Sequence, residues 1–128
     1  MQHDLTTNAA DLGGRILISA LFLISGLGKI AGYAGTQAYM ASMGVPGVLL
    51  PPVIALEVLG AVAIIVGYRT RLVAAALALF SVASGVLFHG SGDQMQQVML
   101  MKNFAIAGGF LFLVARGAGD WSLDARRA

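Results

Sequence analysis

Leu49–Tyr68, LLPPVIALEVLGAVAIIVGY, decides the fold: it is 20 residues long and Glu57 is its only charge. A helix of that length rises about 30 Å, the thickness of a bilayer's hydrocarbon core. Pro51 and Pro52 suit a first helical turn, where their missing N–H groups have no intrahelical partner in any case. An ionised carboxylate facing lipid costs at least about 2.5–3.5 kcal/mol, so Glu57 is expected to face protein, pair with a cation, or stay protonated. It therefore needs partners, and the rest of the chain offers few.

Composition sets the class. The chain has 128 residues, 58% of them hydrophobic and only 11% charged, with a mean hydropathy of +0.82. A soluble domain carries about 25% charged residues, so this chain cannot cover a water-facing surface in the ordinary way. The expectation is all-α: an integral membrane four-helix bundle, with a short interfacial segment between its first two membrane helices. It divides into an N-terminal cytoplasmic tail at 1–11, a transmembrane domain at 12–116 and a C-terminal cytoplasmic tail at 117–128. A net charge of +2 and the lack of a central basic run argue against nucleic acid as a partner. With no cysteine, the chain has no disulfide, thiol chemistry or cysteine-held metal of its own. The opening MQHDLTTNAADLGG has neither a basic n-region before an apolar core nor an A-x-A cleavage site, so a removable signal peptide is not expected.

Met1–Asp11 reads as a polar tail, with Asn8–Asp11 able to cap a helix starting near Leu12. The first span is expected over Leu12–Ala31, with Arg15 and Lys29 near its two ends and able to snorkel to the interfaces. These two share one helical stripe with Ser19, Phe22 and Gly26, mostly polar or small, which suits a helix contact in lipid. Gly32–Val48, GYAGTQAYMASMGVPGV, is too broken by glycine and proline to span and reads as an interfacial segment, with one short helix over Gln37–Met43. Beyond the second span, a tight turn through Arg69 and Arg71 leads to a third over Leu72–His89, where Ala78, Ser81, Gly85 and His89 make another small and polar stripe. Gly90–Asp93 forms a short loop, and a fourth span over Gln96–Ala115 carries Lys102 and Asn103 in its first half. Gly26, Gly60, Gly85 and the Gly108–Gly109 pair read as close contacts between helices, and the phenylalanines as packing or lipid contact. In the tail GAGDWSLDARRA, Trp121 reads as an interfacial anchor, with Arg126 and Arg127 in water.

Arg15, Arg69, Arg71, Arg116, Arg126 and Arg127 all fall at one end of such a bundle, so positive-inside bias places both termini and the middle loop in the cytoplasm. Glu57 then lies about 12 Å below the outer end of its helix and Lys102 about 9–13 Å below that of the fourth. His89 and Lys29 sit at the outer ends of the third and first spans. Four ionisable groups from four helices thus fall in the outer half of one bundle. The bland reading is interhelical glue, with Glu57 paired to Lys102 or Lys29; the sharper one is a ligand or proton acceptor in an outward-open pocket. His89 reads first as an interfacial polar cap, and otherwise as a hydrogen-bond donor to a ligand or a proton exchanger with outer water. Arg15 reads as a cytoplasmic-side anchor or phospholipid contact, outside that site. Met40, Met43, Met95, Met99 and Met101 with His89 offer soft ligands for Cu(I), but adaptable apolar packing explains them better, and no metal site is assigned. Phosphate-binding glycine loops, nucleophile elbows and zinc spacings do not occur in the sequence.

GRILISALFLISGLGKIAGY, followed by LEVLGAVAIIVGYRTRL, the histidine ending the third span and the lysine inside the fourth, resembles the DoxX family over about residues 12–116. The specific parts are Arg15 with Ser25-Gly26-x-x-Lys29, Leu56-Glu57-x-x-Gly60 with Gly67, and Lys102. The resemblance implies a four-helix bundle of the cell's inner, cytoplasmic membrane. It implies more loosely a subunit of a quinol-linked or sulfur-oxidising membrane oxidoreductase; a thiol role has no residue to rest on here. The expected function is an accessory or binding subunit of membrane redox metabolism, with Glu57, Lys102, His89, Lys29 and Asn103 lining an outer-half pocket for a quinone or lipid-like molecule. Its partners would be the lipid bilayer, a redox protein that supplies electrons, and further copies of the chain. The alternative is a non-catalytic oligomeric scaffold whose buried charges only fix helix packing. A small transporter is a weaker third reading. No self-contained catalytic motif is present, so the sequence leaves enzymatic turnover open.

Overall fold

The computed structural model describes residues 4–90 and 92–127; Met1–His3 of the expected tail, Ser91 of the expected loop, Ala128 and the side chain of Arg127 lie outside the described residues. The helices are α1 (Leu5–Ala31), α2 (Tyr33–Ser42), α3 (Leu50–Val66, entered through a 3-10 turn at Gly47–Leu49), α4 (Thr70–His89), α5 (Gln94–Arg116) and α6 (Leu123–Arg127). No strand occurs among the described residues. α1, α3 with its 3-10 turn, α4 and α5 are each long and apolar enough to cross a membrane. Leu17, Leu79 and Phe112 are all more than 70% exposed, a pattern that water would penalise and lipid would not. The chain is an all-α, integral membrane four-helix bundle with a short helical segment between the first two spanning helices.

Local chemistry accounts for the ends of these elements, and in two places it corrects the reading of the sequence. α1 starts at Leu5, not near Leu12, because Asp4 caps it: Asp4 Oδ1 accepts from the Thr7 amide at 2.7 Å, the standard N-cap bond. α2 covers Tyr33–Ser42 instead of Gln37–Met43, since the chain re-enters a helix at once after Gly32 and stops before Gly44, whose φ is +78°. α3 takes its prolines in the first turn, as expected, and ends at Gly67 (φ +74°). There the Gly67 amide bonds Ile64 O and the Tyr68 amide bonds Ala63 O, the Schellman arrangement that favours glycine. α5 is capped by Asp93, which accepts from the Gln96 amide.

The end of the bundle opposite α2 is tied together by arginine. Arg15 does not snorkel out: it is 1% exposed. Its guanidinium donates to Ile64 O at 3.3 Å, to Ile65 O at 3.0 Å and to Trp121 O. Ile64 O already takes the Gly67 amide and Ile65 O has no intrahelical donor, and both carry the negative end of the helix dipole, so a cation from the neighbouring helix is well placed there. The roles of lipid contact and interfacial anchor are therefore not Arg15's. Arg71 does the same for α5, donating to Val114 O and Ala115 O. The C-terminal segment is likewise no free tail. Asp124 accepts from the amides of Arg69 and Thr70 at 2.7 and 2.8 Å, capping α4 from a distance, and Ala118 and Ser122 are buried.

Two apolar clusters divide the interior. The larger joins Phe22, Ala61, Ile64, Leu77, Ala107 and Phe110 and fills the middle and the arginine end. The smaller, Met40, Val45 and Leu50 with Ile54 and Phe88 against it, fastens α2 over the other end. The expected stripe on α1 is inside: Arg15, Ser19, Phe22 and Gly26 are buried. So is most of that on α4, through Ala78, Ser81 and Gly85. Gly26, Gly60, Gly85 and Gly109 each lie against a neighbouring helix; Gly108 does not, having nothing within 4 Å of where a Cβ would stand.

Candidate functional site

Between the two clusters lies a cavity of about 440 Å³. Its apolar floor is set by aromatic packing: Phe22 meets Phe80 edge-on at 6.4 Å and Phe110 at 5.5 Å. At the other end α2 closes it with Thr36, Tyr39 and Met40. Tyr39 stacks on Phe88 of α4 at 5.5 Å, and the Gln37 side chain donates to Gly47 O, so α2 is held at both of its flanks. All five residues singled out in the sequence, Glu57, Lys102, His89, Lys29 and Asn103, line this one cavity.

Their roles within it differ. Glu57, on the buried face of α3, is 4% exposed in its side chain and lies 2.8 Å from Lys29 Nζ, which is 26% exposed. Of the two lysines available to it, Glu57 meets the one on α1. Lys29 also donates to Ser25 Oγ at 2.7 Å, one turn back on its own helix. At 2.8 Å the contact with Glu57 Oε1 has the length of a charge-assisted hydrogen bond. The close approach of α1 to α3 at this level depends on Gly26, where a Cβ would stand 2.7 Å from Val58 Cγ2 and 3.2 Å from Glu57 Cβ.

On the opposite wall, Asn103 of α5 donates to Ser81 O at 3.1 Å and to Ser84 Oγ at 3.4 Å, both on α4. Its amide nitrogen is therefore engaged in joining the two helices. His89 Nδ1 lies 2.6 Å from Gln96 Oε1, which ties the end of α4 to the first turn of α5. Lys102 is exposed, and among the described residues it has no hydrogen-bond or ion-pair partner. Ser25, Thr36, Tyr39 and Ser84 also belong to the wall, although the sequence reading assigns none of them to the site. Ser25 was within reach, four residues before Lys29 on the same face; the α2 residues were not, because nothing local says where that helix folds back. Among the described residues, no group of three or more His, Cys, Asp or Glu side chains is arranged to hold a metal.

The DoxX family profile matches residues 10–90. The chain is 48% identical over 114 residues to "Inner membrane protein YqjF" of Escherichia coli K12, covering 88% of each chain. It is 38% identical over 120 residues to "Inner membrane protein YphA" of the same organism, covering 88% of this chain and 86% of that one. A more distant similarity, 32% over 65 residues, covers 51% of this chain and 48% of "Putative oxidoreductase CatD" of Bacillus subtilis 168. No solved structure matches the chain.

Proposed function

The chain belongs to the DoxX family, and from that premise we propose that it is an inner-membrane protein whose cavity receives the polar head of a quinone or lipid-like molecule. It would act as an accessory or binding subunit of membrane redox metabolism. The inner-membrane assignment leans on YqjF and YphA, and the redox setting on the partial likeness to CatD. The observation that carries the binding reading is the convergence of Glu57, Lys29, His89 and Lys102, from four separate helices, on one cavity with an apolar floor. Ionisable groups at membrane depth are functional by default, and a few polar groups converging in an apolar pocket are the usual form of a ligand site. In this reading the cations orient the head group, Glu57 passes a proton, and the electrons come from a partner protein.

The second reading, a scaffold, has its own observation: the 2.8 Å Lys29–Glu57 pair joins α1 to α3 and suffices to explain both residues. Glu57→Gln separates the two. The binding reading expects folded protein at normal yield with quinone-dependent activity lost from membranes. Loss of the folded protein itself supports the scaffold.

A further inference from the structure

We propose that the cavity takes a single-chain amphiphile whose head carries one negative charge, and that Lys102 selects for that charge; this rests on the binding reading above. Counting the charges on the wall determines the sign. Lys29 and Glu57 stand 2.8 Å apart and cancel. His89 is engaged with Gln96 through Nδ1 at 2.6 Å. Asn103 is neutral and its amide nitrogen is engaged with Ser81 and Ser84. Lys102 is left, a wall residue with no partner among the described residues. It lies eight residues after the start of α5, about 12 Å along that helix, and its side chain is exposed.

A monoanionic head would neutralise the wall and gain a charge-assisted hydrogen bond from Lys102. An alcohol or a quinone carbonyl leaves the charge unbalanced, and a dianion reverses its sign. The apolar floor at Phe22 and Phe80 and the size of the cavity suit a head with one chain; about 440 Å³ falls within the roughly 300–1,000 Å³ of small-molecule sites. Leu21 and Leu87 line the cavity and are both exposed. In this proposal a tail longer than the cavity passes between them toward the bilayer.

Full-length protein in nanodiscs of zwitterionic lipid, titrated at pH 8.5 with dodecanoate and with dodecanol, tests this. The expected result is at least tenfold tighter binding of dodecanoate. Lys102→Met should abolish that difference while keeping dodecanol binding, and Lys102→Arg should retain it. Glu57→Gln, which frees Lys29 from its counter-charge, should bind dodecanoate more tightly still. Equal affinity for the two probes, or a preference that survives Lys102→Met, overturns the charge selection and leaves the cavity as a binding site. Displacement of dodecanoate by stoichiometric phosphatidylglycerol overturns the single-chain occupant. Binding of a short-chain quinone alone overturns this inference but not the reading beneath it, whereas failure of all three probes to bind overturns both.

Discussion

Glu57 and Lys29 hold one ion pair between them but are unequally buried, at 4% and 26% side-chain exposure. Breaking a buried pair from one side leaves the other charge uncompensated, which costs about 3–5 kcal/mol. Lys29→Met does this to the more buried partner, so its loss of stability should approach that range. Glu57→Gln leaves an ammonium that still has Ser25 Oγ and can turn toward solvent, so its loss should stay under about 2 kcal/mol. The double variant Lys29→Met/Glu57→Gln, with no charge left to strand, should be more stable than Lys29→Met alone. Thermal unfolding of the four proteins in one detergent measures this, and equal losses in the two single variants would contradict the asymmetry. That Glu57 must be buried and matched was legible from its isolation in an apolar run. Which lysine matches it was not, because both lie at comparable depth and the choice depends on how α1 and α5 are set against α3.

Among the elements, the α1–α3 contact is the one that positions the site, and Gly26 permits it. Gly26→Leu would force side-chain atoms into Val58 and Glu57; overpacking of this kind costs about 1–3 kcal/mol and should also weaken the Lys29–Glu57 pair. Gly108 is the control. It is helical, with open space around it, so Gly108→Ala should stabilise by about 0.5–1 kcal/mol through helix propensity alone. Unfolding midpoints that move in the same direction for both would refute this assignment of the two glycines. The helix caps follow a rule the sequence displays only in part. Asp4 and Asp93 cap their own helices and are readable from position, whereas Asp124 caps α4 from 54 residues away in sequence. Asp124→Ala removes two amide acceptors and should cost about 1–2 kcal/mol. Amide exchange at Arg69 and Thr70 should rise, while exchange in α5 stays as it was.

At the scale of the whole molecule, α2 and the arginine-rich turns mark opposite ends of the bundle, and from positive-inside bias we propose that the arginine end is cytoplasmic. The absence of cysteine makes that easy to check. A single cysteine at Gln94 should react with an impermeant maleimide on intact cells, and one at Arg126 only after permeabilisation; the reverse pattern would turn the cavity to face the cytoplasm. Hydrophobic length and helical periodicity are local properties, and by themselves they determined the four spans, the apolar exterior and the small, polar faces turned inward. The tertiary structure alone decided three other matters: that Lys29 meets Glu57, that Arg15 is buried in capping α3, and that the C-terminal segment closes one end. Each of these depends on helix stagger and chain return. Those are set by contacts between residues tens of positions apart, which no local pattern encodes.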